Sequence, residues 1–282
     1  MNILFWNAGL KGKRAGNIDN VNACLLEMIM EYKIDLLILA EYNANIQSMC
    51  NQINTRICKN INYRPIPNLG GCDKIKGIIK SEYPIESLRE QNRYQIAKIS
   101  TSTYQLIIGM VHNVSKMQFS ERQQEEMLRM FHGDIMEVEI EHKCKNTIAI
   151  GDFNANPFEP SCIGAGMMHA LPFVENIINK PERKIQGVCY QKFYNPTWKF
   201  YGSNTVPHTT YYYDNSDMIN YYWNAFDQVI VRPGLIKAFD ENKLKIISKT
   251  DNRKLMKNDK PDKENYSDHL PLFCTLKENK IL

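Results

Sequence analysis

The chain has 282 residues, enough to bury a substantial core as one large domain or two small ones, and no shift in composition marks a linker. A formal charge of +4 tolerates a polyanionic partner without requiring one. The eight cysteines include no C-x-x-C pair and no clustering with histidine at zinc spacing, which argues for reduced thiols serving as small core residues rather than for a disulfide framework or a zinc module. No apolar window reaches the length of a membrane span, and the first apolar run has no basic segment ahead of it. The expectation is a soluble, cytoplasmic protein without membrane association, forming a single domain over residues 1–282.

Residues 2–6 read as a strand that stops at Asn7, followed by a basic loop at residues 11–14. Ile18, Val21, Leu25, Met28, Ile29 and Tyr32 recur at helical spacing, so one face of that helix packs on a sheet. Residues 35–40 are an unbroken apolar run, as in a strand covered on both faces, and the run ends in Glu41. Residues 61–66, 76–81 and 94–112 read as shorter strands, the last running into His112 and Asn113. Ser120-Glu121-Arg122-Gln123 is a capping box opening a helix whose apolar face is Met127, Met130, Phe131, Ile135 and Val138. His132, inside that helix, reads as a surface or hydrogen-bonded histidine.

The run Thr147 to Gly151 is a buried strand that breaks off in Asp152-Phe153-Asn154. Residues 155–207 have no strong period and are cut by prolines, and an irregular stretch of that length tends to be functional. Aromatic side chains crowd residues 190–226, among them Trp198, Tyr211, Tyr212, Tyr213 and Trp223. Stacking on nucleobases and packing beside a half-buried strand both explain them. Residues 226–231 and 243–248 read as strands, and 249–265 as a charged, solvated excursion. The Asp268-His269 pair precedes a final strand.

A restricted set of polar residues therefore falls where apolar runs stop or start: Asn7, Glu41, His112, Asp152, Asn154, Asp227, Asp268 and His269. Strand ends of a sheet-based fold can meet in one cleft. Carboxylates without cysteine ligands suit a hard cation such as Mg²⁺, with Mn²⁺ as a substitute, and histidine beside a carboxylate can be held in one tautomer or kept cationic near phosphate. These parts together describe hydrolysis of a phosphate ester.

Trp6-Asn7, Ala40-Glu41, Gly77 to Ser81 before Tyr83-Pro84-Ile85, Val111-His112, Gly151-Asp152-Phe153-Asn154, Phe226-Asp227-Gln228-Val229 and Ser267 to Pro271 resemble, in order, the motifs of the endonuclease/exonuclease/phosphatase (DNase I-like) family. The resemblance covers nearly the whole chain. It implies a four-layered α/β sandwich, two mixed β-sheets face to face with helices outside, and an active site at one end. By that similarity Glu41 is the principal metal ligand, with Asn7 beside it and Asp268 near the metal. Asp152 would orient or deprotonate the attacking water, and Asn154 would stabilise the charged transition state. His269 would contact the scissile phosphate with Asp227 orienting it, and His112 would lie on the leaving-group side.

Within the family, His112-Asn113 is like the DNase I and sphingomyelinase side, whereas Trp223-Asn224-Ala225-Phe226-Asp227-Gln228 departs from the Pro-Ala-Trp-Cys-Asp-Arg of inositol-polyphosphate 5-phosphatases. The expected activity is a metal-dependent, intracellular nuclease with a nucleic acid substrate. The alternative is a phosphatase or phosphodiesterase for a small or lipid phosphate ester, sphingomyelinase-like.

Overall fold

A computed structural model of the chain describes residues 1–10, 17–57 and 61–281. The basic loop at residues 11–14 and Cys58 lie outside the described residues. In the first sheet, β1 (Asn2–Asn7) runs parallel to β2 (Leu36–Ala40), with Ile3 opposite Leu36 and Asn7 opposite Ala40. Beyond β2 come β4 (Ile75–Lys80) and the edge strand β3 (Tyr63–Pro65), both joined antiparallel. The closing strand Leu272–Thr275 pairs antiparallel with β1 on the other side, and Lys245–Ile246 completes six strands.

The second sheet has seven strands. It begins with the antiparallel run of β5 (Ile85–Gln91), β6 (Tyr94–Ser100) and β7 (Gln105–His112). Strand β8 (Thr147–Asp152) lies parallel to β7, and Asp227–Val231 antiparallel to β8. The short strands Phe193–Tyr194 and Ala170–Leu171 finish it.

Alternation along the strands makes the layers. Phe5 and Ile38 from the first sheet and Ile108, Ile150 and Val229 from the second are fully buried in one core between the sheets. Each contributes about 1.5–3 kcal/mol by leaving water. The opposite faces bury Leu4, Trp6, Leu37 and Leu39 against α1 (Ile18–Glu31) and α2 (Ile46–Arg56), and Ile96, Ile107 and Ala149 against α3 (Glu121–Glu141). Helix, sheet, sheet, helix is the expected four-layered sandwich. Gly109 of β7 gives α3 its close approach, since a Cβ there would sit 2.7 Å from the Phe131 ring.

Several local expectations need correction. The region 94–112 holds two of the expected shorter strands on either side of a turn at residues 101–104, but the run 243–248 yields only Lys245–Ile246. Strand β5 and helix α2 were not expected at all. Met130 is 46% exposed and lies off the apolar face of α3, which is completed instead by Leu128. The excursion 249–265 contains a small hairpin, Met256–Lys257 with Lys260–Pro261. Of its two expected environments His132 has the hydrogen-bonded one, buried with Nε2 3.4 Å from the Arg232 guanidinium. No helix among the described residues is long and apolar enough to cross a membrane.

Candidate active site

Strand direction explains how the polar residues meet. Parallel neighbours β7 and β8 end at the same level, with His112 opposite Asp152, while the antiparallel strand Asp227–Val231 begins there, with Asp227 opposite Asp152. In the first sheet β1 and β2 end together at Asn7 and Ala40, placing Glu41 at the rim, and the antiparallel closing strand starts just after Asp268 and His269. One end of the sandwich thus collects termini from both sheets. Gly151 is required in this arrangement because a Cβ would come within 1.9 Å of the Val111 carbonyl oxygen, one residue before His112. Glu41 and Asn154 both hold left-handed backbone, φ 49° in each, as the chain turns out of β2 and β8.

The side chains form one connected set. Asn7 Nδ2 donates to Asp152 Oδ2 at 2.9 Å, and the Asn154 backbone N–H donates to Asp152 Oδ1 at 2.8 Å. His112 Nε2 lies 3.2 Å from Glu41 Oε1 and 3.7 Å from Asp152 Oδ2. His269 Nδ1 lies 2.8 Å from Asp227 Oδ2. Asp152, Asp227 and His269 offer atoms that all fall within 4.8 Å of one another. Asp268 is half-buried next to His269 and acts on it electrostatically. The Asn154 carboxamide donates to the Asn113 carbonyl at 3.0 Å, which leaves its second N–H for another acceptor.

Burial gives these charges their character. It pushes the Asp152 carboxyl above its usual range, and neighbouring Asp227 adds to this while His269 opposes it. Burial alone would depress His269, but the hydrogen-bonded Asp227 carboxylate, with Asp152 and Asp268, outweighs it and lifts the imidazole to about 10. His269 is therefore a fixed cation, with Nδ1 committed to Asp227 and Nε2 left to meet an anion.

All eight residues singled out in the sequence lie at this end, and others support them. Trp6 Nε1 donates to the His269 carbonyl at 2.8 Å, and Ser267 Oγ donates to the Asn7 carbonyl at 2.7 Å, tying the two ends of the chain together. Asn113 is fully buried and donates to the Phe153 carbonyl at 3.0 Å, clamping β7 to the turn after β8. The Tyr211 ring centroid lies 4.6 Å from that of His269. In the sequence Trp6 and Ser267 adjoin Asn7 and Asp268 within the motifs, Asn113 follows His112 and Tyr211 lies in the aromatic stretch, but no local pattern shows which distant group each one meets.

No protein-family model matches the chain, and no curated protein does. Solved structures do match. D. rerio TDP2 complexed with a single-strand DNA product superposes with a TM-score of 0.57 at 18% identity, covering 98% of both chains. A Bacteroides thetaiotaomicron mannosyl-6-phosphatase gives 0.54 at 13% identity over 98% of this chain and 99% of the other. An endonuclease/exonuclease/phosphatase family protein from the same organism gives 0.53 at 10% identity over 98% and 97%. The chain has the DNase I-like fold of the endonuclease/exonuclease/phosphatase proteins, the fold its motifs resemble.

Proposed function

We propose that the chain is an intracellular, divalent-metal-dependent phosphodiesterase that hydrolyses nucleic acid. The observation that carries this reading is the buried arrangement of Asp152, Asp227 and His269 at one end of the sandwich, with Asn7 hydrogen-bonded to Asp152 and His112 bridging to Glu41. A buried imidazolium beside a carboxylate that can accept a proton suits attack of water on a phosphate diester. The single-strand DNA product held by the similarly folded TDP2 supports nucleic acid as substrate. The buried thiols of Cys24, Cys50, Cys72, Cys144, Cys162 and Cys274 pack as core groups, in keeping with a reducing compartment.

The donor set fits a hard cation. Carboxylates outnumber fixed positive charges in the cluster, where His269 is the buried cation, and apart from the His112 imidazole its remaining donors are carboxylate and amide oxygens. Asp152, Asp227 and His269 are close enough to ligate an ion themselves. However, His269 Nδ1 is taken by Asp227, and Asp152 accepts from Asn7 and Asn154. The family resemblance supports Glu41, Asn7 and Asp268 as the residues that would hold Mg²⁺ or Mn²⁺. A divalent ion supplies charge neutralisation at the phosphoryl oxygens.

The chain's own residues do the rest. Asp152, oriented by two donors, takes the proton of the attacking water as the new P–O bond forms. His269 Nε2 donates to a non-bridging phosphate oxygen, and the uncommitted Asn154 N–H donates to the charge that builds there. His112 gives a proton to the departing oxygen as the old P–O bond breaks. Purified protein with Mg²⁺ or Mn²⁺ should cleave single-stranded DNA or structured RNA faster than phosphomonoesters and lose activity in excess chelator. Faster release of phosphate from a sugar phosphate, the kind of substrate named for the similarly folded phosphatase, would reverse the assignment.

A further inference from the structure

The hairpin formed by Tyr211–Tyr212 and Trp223–Asn224 is joined to the catalytic cluster by a β-bridge between Tyr211 and His269. On one side of the strand, the Tyr211 ring lies 4.6 Å from the His269 imidazole and 5.2 Å from Phe226, inclined to the latter by 26°. Tyr213 follows two residues later, on the same side, with its ring 6.3 Å from Tyr211 and inclined by only 14°. Tyr211 is half-buried, tilted by 39° to the imidazole, and Tyr213 is 41% exposed, so the two near-parallel tyrosine faces lead from beside His269 to solvent. On the other side, Tyr212 packs edge-on against Trp223, and the ammonium of the exposed Lys260 sits 4.3 Å above the Tyr212 ring.

We infer that this hairpin is the track of one nucleic-acid strand on the His269 side of the scissile phosphate, with Tyr213 stacking on an unpaired base. The inference rests on the phosphodiesterase reading and specifies its substrate. A base inside a duplex has both faces covered by its neighbours, whereas an unpaired base can offer a face to an aromatic ring. A small phosphate ester with no planar group has nothing to place there. Tyr213 is also far more exposed than the packing aromatics of the same stretch, such as Phe193 and Tyr194.

The test uses the full chain carrying Asp152→Asn to block turnover, and single-stranded DNA containing 2-aminopurine, whose fluorescence falls on stacking. Tyr213→Leu should weaken binding about tenfold and restore fluorescence, while Tyr213→Phe keeps both affinity and quenching. Binding of a blunt duplex should change by less than about twofold in Tyr213→Leu, because its bases are already stacked. Unaltered binding and quenching in Tyr213→Leu, equal weakening toward the duplex, or a Tyr213→Phe variant no better than Tyr213→Leu would overturn the inference. A parent enzyme that hydrolyses bis-p-nitrophenyl phosphate with Mg²⁺ but binds no oligonucleotide would overturn it while leaving phosphodiester hydrolysis in place. A parent inert toward both would remove the functional reading itself.

Discussion

If Asp227 serves the reaction only by holding His269, the two residues must fail as a unit. Asp227 Oδ2 contacts His269 Nδ1 at 2.8 Å, and its other oxygen is buried with no hydrogen-bond partner among the described residues, so no second route to the phosphate is evident. His269→Ala removes a charged donor to the phosphoryl group and should lower kcat/KM by about 10²–10³-fold, or about 2.7–4 kcal/mol of transition-state stabilisation. Asp227→Asn keeps the side-chain shape but withdraws the negative charge that fixes the imidazolium, and should cost about 10²-fold. The double variant should be no slower than His269→Ala alone, giving a coupling energy of about 2.7 kcal/mol. Initial rates on bis-p-nitrophenyl phosphate and on a single-stranded oligonucleotide supply the four corners of the cycle. A double variant slower by the product of the single effects would refute the dependence of Asp227 on His269.

The far end of the second sheet should respond in the opposite way. Arg232 is 3% exposed, donates to both Glu139 carboxylate oxygens at 2.8 and 3.1 Å, and lies 3.8 Å from the centre of the Phe193 ring. Glu139→Ala strands that buried cation and should cost about 3–5 kcal/mol of stability, seen as a fall in Tm of roughly 5–15 °C, with kcat/KM little changed below the transition. Glu139→Met with Arg232→Met should recover most of the loss, and a single variant as stable as the parent would contradict the ion-pair account. Neighbouring His132 is held neutral by burial and by Arg232, its pKa pressed down to about 3. As pH falls from about 6.5 toward 3 the unfolded chain takes up a proton that the folded chain refuses, so stability should drop by up to about 1.4 kcal/mol per pH unit. Denaturant titrations at stepped pH should show a shallower decline for His132→Phe, and parallel curves would exclude His132 as the cause.

The parts of the fold legible in the sequence are those in which local pattern and burial agree. The apolar runs of β2 and β8 are covered on both faces, and the capping box before α3 forms both of its reciprocal hydrogen bonds. Helix α2 was missed because its face is thin: only Met49, Cys50 and Ile53 are buried among polar neighbours. Its start was nonetheless marked by Asn45, whose side chain caps the Ser48 amide at 3.0 Å. Strand β5 was missed because it is an edge strand whose Glu86, Arg89 and Glu90 break the alternation, with a register shift between Ser87 and Arg89.

The candidate site was legible for a different reason. A polar residue that interrupts an apolar run marks a strand end, and Asn7, Glu41, His112, Asp152, Asp227 and His269 all carry that mark. What the marks omit is which ends share a level. The pairing of Asp152 with both His112 and Asp227 follows from the order β7, β8, Asp227–Val231, set by contacts across 40 to 75 residues of chain. Trp6 reaching the His269 carbonyl across 263 residues is equally invisible to a local pattern. The aromatic stretch makes the same point in reverse, because its composition allowed stacking or packing and the structure contains both environments. Phe193, Tyr194 and Phe200 fill the core, whereas Tyr213, Tyr221 and Tyr222 stay exposed on the hairpin beside His269. Burial divides residues that composition treats alike, so substitutions in the first group should be read out in stability and those at Tyr213 in affinity for an unpaired strand.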